Sequence, residues 1–328
     1  MLTLKTQKDD KIHQFRISVI LTTYNRRPTL ELTLKAFEEQ TFPWEYFEII
    51  VVNDGSTDDT AEFLERYKNR GNLNFTYITK ENEGQGIGRN TGFEHTDGEV
   101  ILFAQDDIIP TPTFLQEHWK VHQRYFTENF ICLGFTTWHQ DQNITACMLF
   151  LEDVGMQFKY KALAQAKIMD HEYGLRLASH KFFYTSNISM KRSLFRRQHF
   201  DPRYKKYGWE DVELGFRLEK DERAIILYNP NAKAYHMHET DVPDMARRME
   251  QVGKSAKASM KINKRLKIVP GVLKRVIFTL ISVPPIFTLL EMNARKTPPT
   301  KENPLPFGLK IYYYALMKKH FLKGLAKK

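Results

Sequence analysis

The stretch "ISVILTTYNRRP", residues 17–28, begins with a β-branched run that has no polar face and ends in a turn. A strand with apolar side chains on both sides needs cover on both faces, as in a parallel sheet flanked by helices. Leu30, Leu34 and Phe37 then recur at helical spacing. "FEIIVVND", residues 47–54, reads as a second buried strand. Ser56, three residues before Asp59, reads as a capping box for a helix running to about Tyr67. "NFTYIT" gives a third strand, Gly88 to Glu94 a short helix, and "EVILFAQDD" a fourth strand. Strands alternating with helices predict a doubly wound, Rossmann-like parallel α/β sheet.

In such sheets ligands gather beyond the carboxyl ends of the strands. That rule brings Thr22 to Asn25, Asn53 to Ser56, the Gly84 to Arg89 loop and the pair Asp106–Asp107 to one rim. Paired carboxylates at a strand end suit a divalent cation that also touches substrate phosphates, while an exposed acidic turn is the bland alternative. "EGQGIGRNTG" superficially matches a dinucleotide fingerprint, but Arg89 stands where the third glycine belongs. A cationic loop beside acids better suits a nucleoside diphosphate bridged to metal, with Arg89 donating charge-assisted hydrogen bonds. A flexible surface loop would explain the glycines equally simply.

Further along, a helix is expected from about Pro112 to Arg124 and a strand at "FICLGFTTW". The segment from about Thr136 to Lys181 is poorly periodic. "GWEDVELGFRLEK" reads as a helix opening on Glu210, Asp211 and Glu213, which the helix dipole alone would favour. Trp209 before them suggests an aromatic platform that grips a sugar face. "AYHMH" places His236 and His238 on one side of a short strand, where an imidazole could complete a metal site.

Read in order, "ISVILTTYNR", "IIVVNDGSTDDT", "NEGQGIGRNTGFEHTDGEVILFAQDDIIP", "GWEDVELGFRL" and "AYHMH" resemble a family 2 glycosyltransferase of GT-A fold, over about residues 16–238. The resemblance implies an inverting enzyme that moves a sugar from a nucleotide-sugar donor, here a UDP-sugar, to a glycan or lipid-linked acceptor. It also implies a Rossmann-like, doubly wound mixed sheet, and magnesium or manganese as cofactor. Thr22, Tyr24 and Asp54 fall where the family holds base and ribose, and Arg89 where a basic residue faces the diphosphate. The Asp-x-Asp motif falls on Gln105, Asp106 and Asp107, so its first acid is replaced. Asp107 matches the metal ligand, Asp106 the ribose contact, Asp211 the catalytic base, and Trp209 with Glu210 the acceptor contacts. His236 is the expected downstream metal ligand, with His238 the alternative. A sugar nucleotidyltransferase would need a glycine-rich loop after the first strand, which "LTTYNRRP" lacks. Gln105 leaves open a degenerate domain serving as a membrane-bound scaffold.

The charge is unevenly placed. From Arg247 to Lys328 there are 19 Lys and Arg against 3 acids, so the formal +10 divides into a tail of +16 and a body of −6. Such a tail fits an anionic surface, and no recognition motif argues for nucleic acid. Met245, Met249, Val252, Ala256 and Met260 share one side of an expected helix from Asp244 to Leu266. "VIFTLISVPPIFTLL", residues 276–290, is short for a membrane span and broken by Pro284–Pro285. The start of the chain lacks the apolar centre of a signal peptide. Cys132 and Cys147 lack metal or disulfide spacing and read as reduced core thiols. The expectation is a protein attached peripherally to the cytoplasmic membrane face. Its expected parts are a tail (1–14), a catalytic domain (15–243) with a nucleotide half (15–110) and an acceptor half (111–243), and a helical basic region (244–328).

Overall fold

The computed structural model describes residues 13–155, 160–205, 208–296, 299–300 and 305–327. The expected tail over 1–14 thus lies almost wholly outside the described residues, as does Tyr207 before the Gly208–Trp209 pair.

The first half follows the expected alternation: β1 (Phe15–Thr23), α1 (Arg27–Glu38), β2 (Phe47–Asn53), α2 (Thr60–Lys68), β3 (Phe75–Thr79), α3 (Gln85–Glu94) and β4 (Gly98–Gln105). The strands lie β3-β2-β1-β4, all parallel. Ile17, Val19 and Leu21 of β1 enter one apolar cluster and Ile20 the other, so both faces are covered, as the unbroken apolar run requires. The capping box at Ser56 does not form. Ser56 Oγ instead accepts from the Asn25 amide, and Asp58 Oδ1 takes the Thr60 amide and hydroxyl before α2. Gly88 and Gly92 lie one turn apart on α3, where a Cβ would come within 3.0 Å of Thr22 Cγ2 and 2.6 Å of Ile20 Cγ2. Close packing of α3 on β1 thus accounts for much of the glycine run.

The second half contains β5 (Ile108–Pro110), α4 (Phe114–Arg124), β6 (Phe130–Trp138), α5 (Ala146–Asp153), α6 (Tyr160–Leu163), β7 (Ile168–Asp170), β8 (Leu175–Ala178), β9 (Asn187–Lys191), α7 (Arg192–Arg197), α8 (Glu210–Lys220) and β10 (Ile225–His236). The sheet continues β4-β9-β6-β10-β8-β7, and β9 runs antiparallel to both neighbours, so the sheet is mixed, as the GT-A resemblance implies. A buried polar node fixes β9. His118 of α4 bonds Ser189 Oγ and Asn187 Oδ1 at 2.8 Å each, and Asn187 Nδ2 donates to the carbonyls of Phe135 and Ala232. Burial pushes the His118 pKa down to about 4, which leaves a neutral ring to bridge two neutral partners.

The C-terminal region is helical: α9 (Val242–Ile262), α10 (Val272–Leu280), α11 (Pro284–Lys296) and α12 (Phe307–Ala326). α9 starts two residues before Asp244 because Asp241 and Asp244 cap it reciprocally. Met245, Met249 and Ala256 join Phe150, Leu151, Tyr313 and Phe321 in one cluster, so the region packs on α5 of the irregular segment. α9 and α12 cross at glycines. A Cβ on Gly253 would lie 2.1 Å from the Phe321 carbonyl oxygen, and one on Gly324 2.0 Å from that of Glu250. Among the described residues no single helix is long and apolar enough to cross a membrane; α10 and α11 pass that test together but are bent by 64° at the prolines.

Gly324→Val is expected to cost about 1–3 kcal/mol, because backbone rather than a flexible side chain blocks the new methyls. Chemical denaturation together with faster proteolytic release of α12 would check it.

Candidate active site

Sheet order creates the rim. β1 leads leftward to β2 and rightward to β4, so the crevice at their carboxyl ends is the switch point of the sheet. Thr22 lies opposite Gln105, the last residue of β4, and the chain then turns through Asp106 and Asp107. The short β5 that follows pairs antiparallel with the end of β10, setting Ile108 opposite His236. The Met237 amide donates to the Asp107 carbonyl at 2.7 Å. Two strand ends far apart in sequence thereby bring His236 Nε2 to 3.5 Å from Asp107 Oδ1.

Both carboxylates are buried, so they are not an exposed acidic turn. Arg26, from the loop after β1, places Nη1 3.3 Å from Asp106 Oδ1 and bonds Asp107 Oδ2. Burial, with the neighbouring Asp107 charge, pushes the Asp106 pKa up. Burial also works to raise Asp107, but His236 and Arg26 at its two oxygens outweigh it and hold it low. The His236 pKa is pushed down to about 4 and that of His238 is lowered, in both cases by burial first. Both imidazoles are therefore neutral near pH 7 and can offer a lone pair.

The donor set fits a hard or borderline divalent cation. Asp107 Oδ1 is buried and accepts no hydrogen bond, and the 3.5 Å gap to His236 Nε2 is short enough for one ion with bonds of about 2.1 Å to bridge. The His238 ring stands perpendicular to that of His236, centroids 5.9 Å apart. Among the described residues no three His, Cys, Asp or Glu form a closed metal cage. The arrangement therefore suits an ion whose remaining ligands come from a phosphate and water, as magnesium commonly takes them.

On the same rim Thr22 is buried and Tyr24 is exposed. Asp54 is already engaged: Oδ1 accepts from the Glu83 amide and Lys80, and Oδ2 from the Gly84 amide at 2.9 Å. It pins the loop before α3. Asn25, with φ of 53°, accepts from the amides of Thr57 and Asp58 and so ties two rim loops together.

Arg89 departs from the expectation that it faces a diphosphate. Its side chain is fully buried, bonds Gln85 Oε1 at 3.1 Å, lies over the Phe200 ring, and reaches Asp211 Oδ1 at 3.6 Å. It links the nucleotide half of the site to the first turn of α8. Asp211 Oδ2 accepts from the Thr185 hydroxyl at 2.7 Å, and Oδ1 accepts no hydrogen bond. Glu210 is buried and accepts from the Gly208 amide; burial, then the Asp211 charge, raises its pKa. Trp209 is likewise not a free platform. Its indole packs against the C-terminal cluster and Nε1 donates to the Val252 carbonyl at 3.0 Å, with the backbone held at φ 76°.

Sequence reading placed Asn25 on the rim without a role, and missed Arg26 and Thr185. Arg26 carried a usable signal, a cation in a loop assigned to the same rim as two acids. Thr185 lies in a stretch without periodicity and carried none.

The sequence model of glycosyl transferase family 2 matches residues 18–197, more than half of the chain. An uncharacterised glycosyltransferase of Bacillus subtilis, YfnE, is 28% identical over 246 residues, covering 62% of this chain and 60% of its own length. The mannosyltransferase PcManGT from Pyrobaculum calidifontis, solved with GDP-Man and Mn2+, aligns with TM-score 0.59 at 17% identity, covering 94% of this chain and 89% of that one. Staphylococcus aureus TarS 1–349, solved with UDP, aligns with TM-score 0.52 at 16% identity, covering 95% and 90%. The likeness to solved structures bears out the expected GT-A fold. The chain spans at most about 60% of the length of the curated relatives it matches first. The chain belongs to glycosyl transferase family 2.

Asp107→Asn and His236→Ala are each expected to weaken Mn2+ binding at least tenfold, as loss of one of two protein donors implies, and His238→Ala to change it less. Calorimetric titration of the three variants checks the order.

Proposed function

We propose that this member of glycosyl transferase family 2 is a hexosyltransferase that moves a sugar, with inversion, from a UDP-sugar to a hydroxyl of a glycan or lipid-linked acceptor. The observation that carries this reading is the pairing of two potential cation donors 3.5 Å apart, Asp107 and His236, with a separate carboxylate, Asp211, that is oriented through Oδ2 and keeps Oδ1 without a hydrogen bond. Solved relatives of this fold hold UDP or GDP-Man, which supports a nucleotide-sugar donor.

In the proposed reaction Asp107 and His236 would hold magnesium or manganese, and the ion would supply Lewis-acid neutralisation of the departing diphosphate. Asp106 contacts the ribose, and Thr22 and Tyr24 line the base. Asp211 takes the proton of the acceptor hydroxyl as its oxygen bonds to the anomeric carbon and the bond to the diphosphate breaks. Thr185 holds the Asp211 carboxylate in place through the approach of the acceptor. Glu210, whose raised pKa favours its protonated form, can donate a hydrogen bond to the acceptor.

The reading extends to location: attachment to the cytoplasmic face of a membrane, in the biosynthesis of a cell-envelope polysaccharide or glycoconjugate. Its support is on α10 and α11, where Val272, Leu273, Val276, Ile277, Leu280, Ile286 and Leu289 are exposed. A groove of ≈ 600 Å³ between α9, α10 and α12 is lined by Val276, Leu280 and Leu325 with Lys257 and Arg275 at its edge. Apolar residues beside basic ones suit the interface of an anionic bilayer.

Thermal-shift screening of nucleotide sugars with and without Mn2+ tests the donor class. A ligand at a hundred times its Kd adds about 2.7 kcal/mol, several degrees, and no shift with any donor would favour a scaffold. Asp211→Asn should lower transfer by about 10²–10⁴ while nucleotide binding persists, and wild-type turnover would remove the assignment of the base. Flotation should recover the protein with phosphatidylglycerol vesicles but not phosphatidylcholine ones, and Leu273→Asp with Ile277→Asp should abolish recovery.

A further inference from the structure

Arg26 is a rim residue to which the reaction above gives no task. Its guanidinium binds Asp106 Oδ1 and Asp107 Oδ2, and leaves Asp107 Oδ1, 3.5 Å from His236 Nε2, without a hydrogen bond. The two acids are 5% and 3% exposed whereas Arg26 is 37% exposed, so an arriving ligand meets the guanidinium before it meets the carboxylates.

We infer that Arg26 makes cation binding conditional on the donor's diphosphate, standing in for part of the cation's charge until the diphosphate arrives and then turning its guanidinium to it. This rests on the donor and metal reading proposed above. The argument is electrostatic. Two buried carboxylates without Arg26 would present two negative charges, at high cost, to any passing divalent ion. With Arg26 in place one of those charges is met, and the guanidinium repels an ion at the Asp107–His236 donors. A diphosphate supplies anionic oxygens that the ion and the guanidinium share, which removes the repulsion and offers Arg26 bidentate, charge-assisted bonds in exchange for those it leaves. Metal and nucleotide then strengthen each other's binding, and by linkage the factor is the same in both directions. Arg26 stands at the end of β1 beside the acids at the end of β4 because those strands are parallel neighbours, so the device follows from the sheet order.

The test is calorimetric titration of Mn2+ into the full chain with and without saturating UDP. For the wild-type protein UDP should tighten Mn2+ binding at least tenfold. Arg26→Gln should bind Mn2+ alone about five- to tenfold more tightly than wild type, and its gain from UDP should shrink to about twofold. Arg26→Gln combined with Asp106→Asn keeps the net charge of the site and serves if the single variant does not fold. Its Mn2+ affinity without nucleotide should stay near the wild-type value while the gain from UDP is lost. Either variant retaining the full gain, or the single variant binding Mn2+ no more tightly than wild type, would overturn this inference alone. Absence of Mn2+ binding to every form with UDP bound would overturn the metal reading and this inference with it.

Discussion

Burying two adjacent carboxylates at a strand end is the constraint to which the rest of the rim answers. Each desolvated charge costs several kcal/mol unless a partner meets it. Arg26 after β1 meets both acids, and His236 at the end of β10 stands 3.5 Å from Asp107. Neither partner is near in sequence. The first requires β1 and β4 to be parallel neighbours, and the second requires β5 to pair antiparallel with β10. The order of strands is thus a condition for the acids to exist where they do.

How much of this was legible in the sequence follows from whether the governing interaction is local. β1, β2, β3 and β4 were readable because an apolar run covered on both faces has a signature independent of the partner. The rim assignment of Thr22, Asp54 and the Asp106–Asp107 turn followed from the same rule. The antiparallel β9 was not legible, since its orientation is held by His118 and Asn187 across the core rather than by any pattern in "NISMK". Arg89 was placed on the rim and Trp209 beside the acids of α8, but the contacts that hold them were not foreseen. Their partners, Asp211 and Val252, come from elements whose docking no spacing rule reports. The capping box at Ser56 failed for a related reason: Asn25 in a left-handed conformation claims the hydroxyl and the loop it would have served.

The irregular segment also gains a physical account. α5, within it, supplies Cys147, Phe150 and Leu151 to the cluster that holds α9 and α12 against the rest of the protein. Cys147 is therefore a buried packing residue, its thiol pKa pushed up to about 12 by burial.

Trp209 joins two parts that sequence comparison treats separately. The stretch matched by the family model ends at residue 197, before α8 begins, and α9 lies beyond it. Yet the left-handed Trp209 fixes the first turn of α8, and its indole is anchored on a backbone carbonyl of α9, with Asn263 beyond α9 also donating to Glu213. The C-terminal helices are therefore not an interchangeable appendage. A chimera that exchanged them between relatives would have to carry residues 208–213 along, because the join runs through the turn that aims Asp211.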